Sequence, residues 1–496
     1  MRNAALFLFA SLVIGSTARA DCPEQPEGTN GHRNGQVTFR IADYADPEAT
    51  LARVAAMYPQ SAIVGLVPSR DIYTLLLPDS RIDCDTVAEL IEGLVRPESG
   101  PIDPNRPLEY AELNFESEAA EGSTGSIYVG MRVNVGRAGY ASQAGLSALG
   151  AQAAQANSTG RGVVVAVLDT GVDRTHPELQ GAVLTGYDFV SMSSNVVDVG
   201  DGNDSDGDGL TDEMVGHGTF IAGLIHSIAP DAKIVPVRVL DSDGFGDAAT
   251  IAQGIYFAID RGVEVINISL GSTSESTVIK EAIYEARHKG IVVATAAGND
   301  GSSSRRRYPA AMGEAMGVAA LDANGVRANY SNYNSDIFIS APGGDMTGAD
   351  ANNPQGAIAG IVPNGEYASW AGTSLSSAMV AGAAALVRAQ HPEWSPDSDT
   401  ADSVEQKLRT TADDITAQNP AIATKLGAGR VNIGAAVLSG PVAPPPGDFN
   451  ADGVVDLSDL ARLLTDYGAV HSSADLNGSG SVDLSDLAML LSVFGT

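Results

Sequence analysis

The chain has 496 residues, of which 44% are hydrophobic and 55 are glycine, enough for two to four globular domains and too apolar for a disordered protein. With 61 acidic against 29 basic residues its formal charge is −32, which argues against nucleic acid and anionic membrane as partners and suits an exported protein or a calcium binder.

In chain order, the first twenty residues read "MRNAALFLFASLVIGSTARA". Arg2 precedes an apolar run from Ala4 to Gly15, and Ala18-Arg19-Ala20 supplies a small-x-small end, so residues 1–20 are expected to be an export signal. No later run reaches the length of a membrane span. Residues 21–120 form a mixed segment that holds both cysteines, Cys22 and Cys84, which could form one disulfide after export. Beyond Arg161 the pattern changes. The apolar runs "GVVVAVLD", "AKIVPVRVLD", "VEVINISL" and "GIVVATAAGN" alternate with the helical patterns "DAATIAQGIYFAIDRG" and "STVIKEAIYEARHKG". Nearly continuous apolar strands are buried on both faces, and their alternation with helices predicts an α/β domain with a parallel sheet and helices on both sides. Functional groups of such sheets gather at the carboxyl ends of the strands.

Four side chains stand where a strand or a glycine turn would expose them. Asp169 ends "VAVLDTG", His217 lies between two glycines in "GHGTFIAGLI", and Asn299 ends the run "ATAAGN". Ser374 opens a helical stretch, "GTSLSSAMVAGAAALVRAQ", that stops at His391-Pro392. Taken singly, Asp169 and Asn299 could be turn residues, His217 a helix-start histidine and Ser374 a helix cap. Together they comprise an acid, a base, an amide and a nucleophile, and that joint order points to catalysis.

These segments, with "SLGS" at Ser269 and "ANYSNYNSDIFISAPG", resemble the subtilisin-like serine proteases in the chain order Asp…His…Ser. The resemblance spans residues 121–438 and implies a subtilisin-like fold with an Asp169–His217–Ser374 triad. Ser374 would attack the peptide carbonyl, His217 would move the proton and Asp169 would hold the imidazole. Asn299 would donate to the oxyanion, and Ser269, Leu270, Gly271, Ala296, Ala297 and Gly298 would flank the primary specificity pocket. The family also implies protein or peptide substrates and an inhibitory propeptide, here a small α+β unit at residues 21–120, whose end is expected at "LEYAELNFE"; a permanent accessory domain is the other reading of this segment. Two positions depart from the family's usual pattern: Phe220 stands for a histidine and Ala378-Met379 for Pro-His, so altered packing is expected there.

The acidic insert "DVGDGNDSDGDGLTDE" spaces Asp204, Asp206, Asp208 and Asp212 around Gly209 as a calcium loop would. After a proline-rich linker (residues 439–447), the 21 residues from Asp448 recur 27 residues later with 13 identities, which marks residues 448–496 as a separate module. Asp448, Asn450, Asp452, Val454, Asp456 and Asp459 fall at calcium-loop positions, as do Asp475, Asn477, Ser479, Ser481, Asp483 and Asp486. The duplicated loops, each followed by a helix, resemble dockerin type I modules. That implies a small all-α, Ca²⁺-binding unit and a cohesin-like partner, although Leu457-Ser458 and Leu484-Ser485 depart from the usual partner-selecting residues. The expectation is therefore a secreted, calcium-stabilised serine endopeptidase made as a zymogen. Two other readings are a non-catalytic calcium-dependent binding or surface-anchored protein on the same scaffold, and a peptidase that cuts only itself.

Overall fold

The computed structural model describes residues 32–78, 83–97, 102–120, 136–141, 143–205, 209–345, 356–439, 447, 455, 457–465, 467, 474, 476–477 and 481–494. The expected signal segment, Cys22, the side chain of Cys84 and most of the linker lie outside these residues, as do Asp206, Asp208, Asp448, Asn450, Asp452, Val454, Asp456, Asp475 and Ser479. Contacts divide the chain into two units, residues 1–114 and 115–496.

In the first unit, β1 (His32–Ile41), β2 (Ala62–Val67), β3 (Ile72–Leu76) and the start of β4 (Leu108–Ala119) form a sheet in the order β4-β1-β3-β2. Two helices accompany it, α1 (Pro47–Met57) and α2 (Asp83–Gly93). α1 begins where Asp46 caps the Ala49 N–H and Pro47 supplies a helical φ. Phe39, Ile41, Ile72, Leu75 and Leu90 are fully buried and make its core.

In the second unit, short helices α3 (Gly136–Ala141), α4 (Ala144–Ala148) and α5 (Ala151–Gln155) precede a seven-stranded sheet. Its strands in chain order are β5 (Val164–Asp169), β6 (Tyr187–Asp188), β7 (Lys233–Arg238), β9 (Val265–Ile268), β11 (Val292–Ala296), β12 (Met316–Leu321) and β13 (Ile337–Pro342). They run in the order β13-β12-β11-β9-β5-β7-β6, and every pairing is parallel. β9, β11 and β12 are buried at every residue, as the unbroken apolar runs predict. Between the strands lie α6 (His217–Ile228), β8 (Phe245–Asp247), α7 (Ala248–Asp260), β10 (Leu270–Gly271) and α8 (Thr277–His288).

A hairpin, β14 (Ile358–Val362) with β15 (Glu366–Trp370), then leads into α9 (Thr373–Gln390), followed by α10 (Ser398–Thr410) and α11 (Ile433–Leu438). α9 is built of small residues and is buried from Thr373 to Val387. Gly382 lets it approach α6: a methyl there would sit 2.9 Å from Ile228 Cβ. The helix stops at Gln390, just before His391-Pro392. Of the two departures from the family pattern, Phe220 is fully buried edge-on to Trp370, and Gly360 makes room for its ring. Met379 is also fully buried.

The tail contributes α12 (Leu457–Thr465) and α13 (Leu484–Ser492). Val455, Leu463, Ala474, Val482 and Leu490 form a cluster drawn from both repeats and from Ala474 between them. Each repeat thus covers the apolar face of the other. Among the described residues no helix is long and apolar enough to cross a membrane.

Candidate active site

β5 delivers Asp169 to its carboxyl end, fully buried, and α6 opens with His217, also fully buried. The Asp169 Oδ1 lies 2.7 Å from His217 Nδ1 and also accepts the Thr170 N–H at 2.8 Å. The two segments approach closely because Gly218 has no side chain: a Cβ there would stand 2.1 Å from the Gly171 carbonyl. Trp370 packs edge-on against the imidazole, with centroids 5.3 Å apart. A carboxylate bound to one imidazole nitrogen fixes the tautomer in which the other nitrogen can act as a proton acceptor.

The start of α6 is organised by Asp198, a residue the sequence did not single out. Its fully buried carboxylate accepts the N–H groups of Gly216 (2.9 Å) and Thr219 (3.0 Å) and the hydroxyls of Thr219 (2.6 Å) and Thr170 (3.1 Å). Thr170 Oγ1 in turn accepts the Gly218 N–H at 3.0 Å. Burial pushes the Asp198 carboxyl up, against the pull of these donors. An anion at a helix start also meets the favourable end of the helix dipole.

Ser374 is the second residue of α9 and is fully buried; its Oγ donates to the Ser269 carbonyl at 3.1 Å. Asn299 lies just beyond β11 with its amide held at both ends. Its Oδ1 accepts the N–H (3.0 Å) and the hydroxyl (2.9 Å) of Thr373, and its Nδ2 donates to the Ala120 carbonyl at 3.0 Å. Two donors on the oxygen leave no doubt about which way the amide points.

What reaches Asn299 is the chain's own residues 116–120. Glu116, Ser117 and Glu118 pair antiparallel with β8, while Glu118 and Ala119 pair antiparallel with β10. The Ala119 N–H donates to Gly244 and the Ala120 N–H to the Ser269 carbonyl, at 2.8 and 3.3 Å. The segment is thus an added strand between two short edges, a common way for a protein to hold an extended peptide. Of the residues expected to flank a pocket, Ser269, Leu270 and Gly271 lie along this strand, and Ala296 and Gly298 line the cleft beside Ala120. Ala297 turns away: its side chain packs with Ala319, Leu321 and Ile337 in the core.

Arg307 completes the cleft wall and pairs with Asp300 at 2.8 and 2.9 Å and with Glu118 at 3.2 Å. Burial alone would raise the Asp300 carboxyl, but hydrogen bonds from Arg307 and Asn332 and the charge of Arg307 hold it at about 2.

The expected calcium loops are described only in part. Asp212 Oδ1 accepts the N–H groups of Asp201 and Gly202, and Asp204 Oδ2 that of Gly209. In the tail, Asp486 Oδ1 accepts the N–H groups of Leu476 and Asn477, and its Oδ2 that of Asp483. These are carboxylates engaged by backbone donors. Among the described residues no group of three or more His, Cys, Asp or Glu converges as a metal-ligand set.

Residues 160–429 match the sequence model of the Subtilase family. Subtilisin BL of Lederbergia lenta is 39% identical over 246 residues, 48% of this chain and 80% of that protein. A solved protease structure from Pseudoalteromonas arctica is 34% identical, covers 58% of this chain and 93% of its own, and has a TM-score of 0.50. Fervidolysin from Fervidobacterium pennivorans, a keratinolytic enzyme related to subtilisin, shares the fold at a TM-score of 0.63 and 23% identity, over 85% of this chain and 63% of its own. The chain belongs to the subtilase family and is a subtilisin-like serine protease.

Proposed function

We propose that the chain is an exported serine endopeptidase made as a precursor that cuts itself between Ala120 and Glu121. The observation that carries this reading is the hydrogen bond from Asn299 Nδ2 to the Ala120 carbonyl, on a segment bound as a strand. Ser374 Oγ attacks the Ala120 carbonyl carbon while His217 Nε2 takes its proton, and Asp169 steadies the imidazolium. The oxyanion is met by Asn299 Nδ2 and the Ser374 N–H at the start of α9. The carbon–nitrogen bond then breaks, and the Glu121 amine leaves with the proton held on His217. Water, deprotonated by His217, hydrolyses the acyl-enzyme. Residues 116–120 then occupy the cleft as a bound product, so the released N-terminal segment inhibits until it is lost.

Expression of the wild-type chain should give a mature protein whose first residue is Glu121, read by terminal sequencing. Ser374→Ala should stay uncut and be trimmed only when active enzyme is added. A fluorophosphonate should label Ser374, and His217→Ala should abolish the label. A mature terminus elsewhere would remove the self-cleavage reading.

The same proposal gives residues 1–20 the role of an export signal and residues 448–496 that of a dockerin-like, calcium-binding docking module. The duplicated loop pattern supports the second role. So do Leu457 and Leu484, at matching positions of the two repeats, which are 71% and 69% exposed as a partner site requires. Calcium at Asp204–Asp212 and in the tail rests on loop spacing and takes no part in the bond cleavage.

A further inference from the structure

The cleft wall beside Ala120 is not neutral, and its charge bears on which peptides fit. Glu118, Ala119 and Ala120 line one narrow cleft together with Gly271, Ala296, Gly298 and Arg307. The Arg307 stem runs across Gly298, where an added Cβ would stand 2.6 Å from Arg307 Cγ. Its aliphatic part therefore takes up space beside Ala120, while its guanidinium reaches two residues upstream.

The guanidinium is held rather than free. Nε and Nη2 are taken by the two Asp300 oxygens, leaving Nη1 for Glu118. Asp300 is itself fixed by Asn332 at 2.8 Å and Arg305 at 3.2 Å. Arg307 is only 7% exposed, so its charge is poorly served by water. Formal charges of Asp300, Arg305, Arg307 and Glu118 sum to zero. Without Glu118 the cluster carries a net positive charge beside the cleft.

We propose that Arg307 makes this protease selective for peptides with an acidic residue two positions ahead of a small residue at the cleaved bond. The inference rests on the reading of this cleft as the place of peptide cleavage. It runs against the steering expected from the formal charge of −32, which favours basic peptides at long range. The two effects separate with salt. Screening weakens steering between distant exposed charges far more than it weakens a partly buried, hydrogen-bonded pair.

The test compares Ser-Glu-Ala-Ala and Ser-Gln-Ala-Ala p-nitroanilides on the mature wild-type enzyme at 0.15 M salt, with fluorophosphonate labelling of the same sample. Glu and Gln differ little in shape, so the comparison isolates the charge. The expected result is a kcat/KM about 10-fold higher for the Glu peptide, falling to about twofold or less in Arg307→Gln. Replacing the last Ala by Phe should cost the wild-type enzyme at least about 10-fold. Equal rates for Glu and Gln in the wild type would overturn the selectivity while leaving the peptidase reading intact, since both peptides are cut. A sample that takes no label and cuts neither peptide would overturn the peptidase reading itself. Because the decisive comparison uses the wild-type enzyme, it stands even if Arg307→Gln fails to fold.

Discussion

As the proposed oxyanion donor, Asn299 needs its amide to point nitrogen-first into the cleft, and that direction is set by Thr373. The backbone N–H and the hydroxyl of Thr373 both donate to Asn299 Oδ1, and the same hydroxyl accepts the Gly298 N–H at 3.1 Å. Thr373 thus ties the end of β11 to the start of α9, next to Ser374. Thr373→Val keeps the shape and the backbone donor but removes the hydroxyl from both bonds. Its expected effect is a drop in kcat of about 10-fold with little change in KM, as for a group that orients a transition-state donor. Asn299→Ala should go further, by about 100- to 1000-fold in kcat, the loss known for the oxyanion donor of subtilisin, a member of the same family. Steady-state kinetics on a peptide anilide check both. A rise in KM with kcat preserved would instead mean that Asn299 holds the ground state and not the oxyanion.

Among the elements, the two helix starts carry the candidate site, and the sequence showed them unequally. The strands β5, β7, β9 and β11 lie within the apolar runs that marked them, and α9 ends where His391-Pro392 foretold. Each of those signals is local, a matter of periodicity or of a stop residue. Asp198 is different: it is one acid in the stretch "DVGDGNDSDGDG", and nothing in its neighbours distinguishes it from the exposed Asp201. Arg307 is likewise the third of three consecutive arginines, the first of which is 62% exposed. Its partner Glu118 is 189 positions away in the chain, beyond the reach of any window. What stayed hidden was the long-range hydrogen bonding that decides which of several like residues is buried. Asp198→Ala should cost about 3 kcal/mol of stability, because it strands the N–H groups of Gly216 and Thr219 and two hydroxyls inside the protein. A lowered Tm would register that cost. Asp198→Asn keeps one acceptor oxygen and should lose less. If the alanine variant melted like the wild type, the start of α6 would have to be held by something other than this carboxylate.

At the scale of the whole molecule, the tail should be separable. Its apolar cluster of Val455, Leu463, Ala474, Val482 and Leu490 is drawn entirely from residues after the linker, and the chain between is rich in proline. A chain ending at Ser439 should therefore keep the Tm and the peptide kcat/KM of the full chain when both are measured in a chelator. Calcium makes the comparison sharper. A protein whose folded state alone binds a ligand is stabilised by it, so removing calcium lowers Tm by an amount set by the number and affinity of the sites lost. If the two repeats each hold one ion, the full chain should bind two more calcium ions than the shortened one, read by titration calorimetry. In the second repeat both oxygens of Asp486 already accept backbone N–H groups and its carboxyl lies below the usual carboxylate range, first through the Asp483 N–H. Asp486→Ala should remove one of the two extra ions and also lose the bond from the Asp483 N–H at the start of α13, where Asp483 remains the cap. Equal calcium stoichiometry for the full and shortened chains would leave the tail a purely protein-built module, with the capped helix start as the whole explanation of its aspartates.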